Sequence, residues 1–246
     1  ISSEEYLRQL VAPVPLDLFH ALAQSLPDPT YAYDMMLEAI NDIHNPAFFY
    51  PGQSHDPRFD REVALMTELT WQHSLHWTQE LNAPGSLTIE ITPRSDALAA
   101  QASELLRLLG QPDNTAAGER IRVETYSVGQ PAHPDGVRVQ TRSIMQLVQM
   151  LSAAVAVPED HLSENQAVTY PRGGRATQDL RIRYSESSPD RAYVAIEHRQ
   201  GWFYIDETDI DTKRYFKLLS SLLSAAMAQS LGQSQSAPVL TVPVSR

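Results

Sequence analysis

An α+β fold, with a helical N-terminal region packed on a mixed, largely antiparallel sheet that carries further helices, is predicted by three features of this 246-residue chain. Residues 191–231, RAYVAIEHRQGWFYIDETDIDTKRYFKLLSSLLSAAMAQSL, read as strand, tight turn, strand, acidic cap and apolar-striped helix. Segments 87–91 and 121–128 alternate apolar and polar residues, the period of a half-buried strand. The first eighty or so residues instead space their apolar residues as a helix does. The pattern divides the chain into a helical region over 1–84 and an α/β sheet region over 85–246, unless one continuous domain holds both.

In chain order, Leu16, Phe19, Leu22 and Ala23 predict a first helix after Pro15. Tyr33, Met36, Leu37, Ile40 and Ile43 predict a second after the turn signal Pro27-Asp28-Pro29. A loop rich in Pro, Gly, Asn and His spans 45–57. A third helix is expected over about 59–81, before Pro84-Gly85, with apolar residues on more than one face, as in a helix buried on two sides. Ser95 caps a helix striped by Leu98, Ala102, Leu105 and Leu109, and Gly110 stops it. After a short extended piece at 137–140, Thr141-Arg142-Ser143 opens a helix striped by Ile144, Leu147, Val148, Leu151 and Val155 and ended by Pro158. Residues 159–179 are expected as a long polar loop with Arg172-Gly-Gly-Arg175 at its tip. Segments 180–186, 193–198 and 202–205 predict a three-strand meander, followed by a helix striped by Tyr215, Phe216, Leu219, Leu222 and Leu223. A small-residue linker at 232–236 leads to a terminal arm at 238–244, where Pro243 argues against a central strand.

The composition narrows the chemistry. Thirty Asp and Glu against nineteen Lys and Arg give a net charge of −11, which opposes nucleic acid and anionic lipid as general partners. The absence of Cys excludes disulfides, a thiol nucleophile and thiolate metal sites. No apolar run reaches the roughly 20 residues that span a bilayer. No nucleophile elbow, phosphate-cradling loop or dinucleotide fingerprint occurs, and no motif calls for a cofactor.

Several constellations have two readings. His73 and His76 share a face of the expected third helix, with Glu80 four residues beyond; imidazoles and a carboxylate suit a zinc-like ion. A polar, aromatic-flanked helix face packing on the domain is the simpler reading. Asp206, Glu207, Asp209 and Asp211 resemble a cation site, but they lack the glycine and distal glutamate of a calcium loop and fit a helix N-terminal cap, with Thr208 or Asp209 as the capping residue. Arg172 and Arg175 flank a flexible backbone that could meet an anion; a solvated loop tip is the simpler reading. Phe48, Phe49 and Tyr50 either form a sticky patch for a protein partner or plug the junction between helical region and sheet. His44, His55, Asp56 and Asp60 surround the first long loop and reach a hydrolytic triad only if tertiary folding brings a serine to them.

The opening Glu5-Tyr-Leu-Arg-Gln-Leu-Val-Ala-Pro-Val-Pro-Leu16 and the segment Ala39-Ile-Asn-Asp-Ile-His-Asn45 resemble those of uncharacterised bacterial cell-envelope lipoproteins of unknown function. Ala12 stands where Thr is usual, and Asp42 where Gly is usual. Thr141-Arg-Ser-Ile-Met, Ala192-Tyr-Val-Ala-Ile-Glu-His-Arg199, Trp202-Phe-Tyr-Ile-Asp206 and Pro238-Val-Leu-Thr-Val-Pro243 fit the same pattern. The resemblance implies a periplasmic protein tethered through an upstream lipid anchor absent from this chain, with no functional residue to carry over; a cytoplasmic location stays open. The resulting expectation is a non-enzymatic envelope protein acting through protein–protein contacts at 45–57, 159–179 and the C-terminal arm. Its alternatives are a metal-dependent hydrolase on His73 and His76, or small-ligand binding in a cleft between the two regions.

Overall fold

The computed structural model describes residues 7–8, 10–46, 55–79, 87–125, 136–199 and 201–234, and of 226–234 only the backbone. Within them, α1 (Leu16–Ser25) and α2 (Thr30–Met36) lead into a hairpin of β1 (Leu37–Ile40) and β2 (Ile43–His44). Then come α3 (Pro57–Trp71), β3 (Leu75–Gln79), β4 (Leu87–Ile91), α4 (Asp96–Leu108), β5 (Arg120–Thr125) and β6 (Gly136–Thr141). The chain continues through α5 (Ile144–Ala153), α6 (Glu159–Ser163), α7 (Arg175–Asp179), β7 (Arg183–Ser185), β8 (Ala192–His198), β9 (Gly201–Asp206) and α8 (Ile210–Ser234). The fold is α+β, with a six-stranded sheet ordered β2-β1-β6-β5-β4-β3 and a three-stranded sheet ordered β7-β9-β8. All pairs are antiparallel except β5 with β6.

Local signals explain most of these elements. Ser95 accepts from the Leu98 N–H, and Ser143 and Gln146 close a full capping box on α5. Gly110 takes φ +70 just beyond α4, the left-handed stop that glycine adopts without a Cβ clash. At the start of α8, Asp209 Oδ1 accepts the Thr212 N–H and Lys213 pairs with Glu207, so Asp209 acts as the expected cap.

Four expectations need correction. The second helix ends at Met36: Leu37 and Ile40 are strand residues, because a run buried on both faces loses the alternation that marks a strand. The third helix ends at Trp71 rather than 81. His73, at φ +52, reverses the chain, Ser74 N–H bonds Leu69 O, and β3 then pairs with β4 from Leu75↔Ile91 to Gln79↔Leu87. The apolar residues on more than one face up to Leu69 belong to a helix that is buried broadly, whereas Leu75 and Trp77 belong to β3. The last three strands are not a meander, since β9 lies between β7 and β8. The 159–179 segment carries two short helices, and its glycines are buried rather than at a solvated tip.

The described residues among the first 84 therefore supply β1, β2 and β3 of the large sheet as well as α1, α2 and α3. One hydrophobic core joins both sides of that boundary, from Phe19, Met35 and Leu69 to Leu105, Val123, Leu147 and Tyr215. Helices α3 and α4 lie side by side, while α2, α5 and α7 pack against α8. No helix among the described residues is long and apolar enough to cross a membrane.

Candidate functional site

At the β3 edge of the large sheet, α1, α2, the end of α3 and β3 enclose a cavity of about 260 Å³. Its floor is apolar and buried: Phe19, Ala23, Pro29, Tyr33 and Leu75. His20, Thr70 and Trp77 are half-buried walls, and Gln24, His73 and His76 are an exposed rim. The rings contact one another, with Phe19 5.8 Å from Tyr33 and 6.1 Å edge-on to Trp77, and Trp77 6.3 Å from His20. Such tilted packing fixes a rigid aromatic wall.

The electrostatics of the cavity are unusual for so acidic a chain. Among the described residues no Asp, Glu, Lys or Arg lines it. Burial pushes the Tyr33 hydroxyl up to about 12, against smaller opposing effects of Trp77 and Thr70, and burial holds the His20 imidazole below its ordinary range. His20 Nε2 is buried with no hydrogen-bond partner, and Trp77 Nε1 is buried with none at close distance, its N–H acting only at longer range on the Tyr33 hydroxyl. A buried polar atom left unpaired costs roughly 1–3 kcal/mol, so one such nitrogen beside a second with only a long contact calls for a reason.

His73 and His76 thus meet at a pocket, but not on a shared helical face: His73 occupies the left-handed turn, His76 lies on β3, and the His76 ring nitrogen Nε2 bonds the His73 carbonyl at 3.1 Å. Glu80 lies outside the described residues. Among the described residues no group of three His, Asp or Glu side chains is placed to hold a metal ion.

The remaining candidates separate. Arg175 Nε lies 3.6 Å from both Asp34 and Asp179, and Arg172 reaches the Ala154 carbonyl at 3.5 Å, so the two guanidiniums do not converge on one anion site. Phe48, Phe49 and Tyr50 lie outside the described residues, as does the 238–244 arm. His55 Nε2 meets Asp60 at 2.8 Å, but its Nδ1 is buried without a partner, so among the described residues no hydroxyl completes a triad.

Sequence reasoning missed a buried polar knot where β1, β6 and α7 meet. Arg142, 1% exposed, donates to the carbonyls of Asp34, Met35 and Asn45. The Asn45 amide donates to Asp34 O and Leu37 O. Gly174 is pressed against it so closely that a Cβ there would fall 2.0 Å from Asn45 Oδ1. Burial raises the Asp34 carboxyl to about 7 although Arg175 opposes the shift, and burial lowers the Arg142 guanidinium to about 10. Glu62 on α3 is fully buried with both oxygens unpartnered, and burial pushes it up to about 9.

A second, polar cleft of about 520 Å³ is lined by Asp160, His161, Glu164, Gln166, Tyr184, Glu186 and Arg199. Gln166 bridges Glu164 and Arg199 along its wall, so the cleft's one guanidinium is already engaged.

Comparison with protein-family models, curated proteins and solved structures finds no match.

Proposed function

We propose that this chain is a non-enzymatic binding protein whose aromatic pocket takes a small, ring-bearing molecule. The observation that carries this reading is the wall of contacting rings around a cavity whose described lining holds no Asp, Glu, Lys or Arg. An apolar concavity with few convergent polar groups is the usual form of a small-molecule site. At about 260 Å³ it suits a one- or two-ring molecule. Isothermal titration calorimetry with indole tests it: saturable binding heat, with affinity about tenfold weaker in Trp77→Phe, supports the pocket. A flat titration with indole in the folded protein overturns it.

A second reading, contact with a protein of the bacterial envelope, is favoured by Val168 and Tyr170, large residues exposed on the 159–179 segment. The sequence resemblance supports placing that contact in the periplasm, in a protein held by a lipid anchor. Fractionation of cells expressing the whole gene product tests the location, and crosslinking that Val168→Asp abolishes tests the contact.

A further inference from the structure

We propose that α7 is a pH-sensitive latch: it holds the end of the 159–179 segment against α2 while the Asp34 carboxyl carries a proton, and it loosens when that proton leaves. The placement of Asp34 carries this. Its side chain is 2% exposed, and its Oδ2 has no hydrogen-bond partner. Arg175, the cation beside it, stands 3.6 Å away on α7 and is itself 56% exposed. An ionised carboxyl so placed has lost its water and gained one long ion pair, whereas a protonated one loses far less.

The short helix is the part free to move. It has five residues and no side-chain cap at its N-terminus, and residues 163–171 ahead of it are exposed apart from half-buried Ala167. It is held by the Gly174 N–H on Pro46 O at 2.9 Å, by the Thr212 hydroxyl on Asp179 O at 3.3 Å and by buried Ala176 and Thr177. An element with so few bonds belongs to the openings of lowest free energy in a fold. Lifting it carries Arg175 away and returns water to Asp34.

The groups around Asp34 set the direction of the response. Asp60 on α3, which is bonded to His55, and Asp179 on α7 repel a negative charge there. Arg175 on α7 and Arg142 between β6 and α5 attract one. From α8 the Tyr215 hydroxyl faces it and stays protonated, pushed up by burial and then by the Asp34 and Asp179 charges. Burial outweighs Arg175, so the docked carboxyl is raised to about 7. The docked state therefore holds the proton more tightly than the open one: docking is strongest in acid and is lost as pH rises through about 7. The ionised pair with Arg175 pulls the other way and is the smaller effect.

Amide exchange of the whole chain at pH 6.0 and pH 8.0, divided by the intrinsic rate at each pH, tests the latch. It gives opening constants for the N–H groups of Gly174, Thr177 and Leu180, which donate to Pro46 O, Gly174 O and Ala176 O. With the docked carboxyl titrating near 7 and the released one in the ordinary range, these constants should be about tenfold greater at pH 8.0. Asp34→Asn, which cannot ionise, should abolish the change, and Glu62→Gln, which removes the buried acid of α3, should leave it intact. A rise that persists in Asp34→Asn, or an opening that falls with pH, overturns the proposal. So does a rise that Glu62→Gln reduces, because it then reports unfolding of the whole molecule. Should Asp34→Asn not fold, carboxyl ¹³C NMR of the wild type follows Asp34 directly. A midpoint near 7 that moves up in Arg175→Gln supports the latch, and a midpoint below about 5 overturns it.

Discussion

Arg142 and Trp77 both bury nitrogen donors, and the fold treats them in opposite ways. Arg142 spends its guanidinium on three backbone carbonyls from two separate stretches of chain, leaving only Nε without a partner. Trp77 keeps its one N–H without a close partner beside a cavity, next to a His20 ring nitrogen that has none. In the first region polar groups hold strand and helix ends together, so removing one leaves others stranded. In the second, the polar atoms make few and long contacts within the protein, Trp77 and Thr70 acting on the Tyr33 hydroxyl, and the rings around them line a cavity. The difference separates a structural knot from a site, though both look like buried polar chemistry.

The sharpest way to break the comparison is Arg142→Leu. It strands the Met35 and Asn45 carbonyls and takes one of two donors from the Asp34 carbonyl, and the expected loss is about 3–5 kcal/mol, which lowers the melting temperature by roughly 10 °C in a chain of this size. A shift of only a degree or two would mean the knot is decoration. Next comes Gly174→Ala, expected to cost about 2–3 kcal/mol because the new Cβ would occupy the place of Asn45 Oδ1, a side chain fixed by two hydrogen bonds. Coupling to Asn45→Ala in a double-mutant cycle should recover part of that cost.

Glu62 sharpens the contrast from a third direction, since it is buried and unpaired yet belongs to neither region. Its folded carboxyl titrates near 9, well above the unfolded value, so its contribution to stability is present in acid and is lost as pH rises toward 9. Glu62→Gln should therefore stabilise the protein by roughly 2 kcal/mol at pH 8 and by little at pH 4.5, measured by denaturant unfolding at both pH values. Equal effects at the two would contradict a neutral buried acid.

Trp77→Phe keeps an aromatic wall and removes the N–H; unfolding experiments should show a change of about 1 kcal/mol or less, even where ligand binding weakens. The smallest effect is expected from Arg175→Gln: its guanidinium is 56% exposed, so its pairing with Asp34 and Asp179 should be worth under about 1 kcal/mol.

The features legible in the sequence were those decided locally. Ser95, Ser143 and Gly110 mark helix ends because a cap bond or a positive φ involves only neighbours. The strands at 87–91 and 120–125 were legible where a polar residue interrupts the apolar ones often enough to show the period of two. Segment 37–44 was not, because burial on both faces removes that period. The end of α3 was hidden because its reversal falls on a histidine, a residue that ordinarily signals nothing about φ. The pocket was invisible for another reason: its rings come from positions 19, 20, 33 and 77, which only the packing of α1 and α2 on β3 brings together. His73 and His76 were singled out for a helix spacing that does not exist, yet both reach the site.

His73 stands where helices most often end in glycine. A non-glycine residue at φ +52 carries a steric penalty of about 1 kcal/mol that glycine would avoid. An engineer optimising this chain for heat tolerance would therefore choose His73→Gly early, and the melting curve would reward the choice. The same exchange would remove one of the two imidazoles at the mouth of the cavity. Thermostability screening alone would thus select against the very residue whose backbone discomfort marks the pocket, and any such campaign on this protein needs a binding assay run beside it.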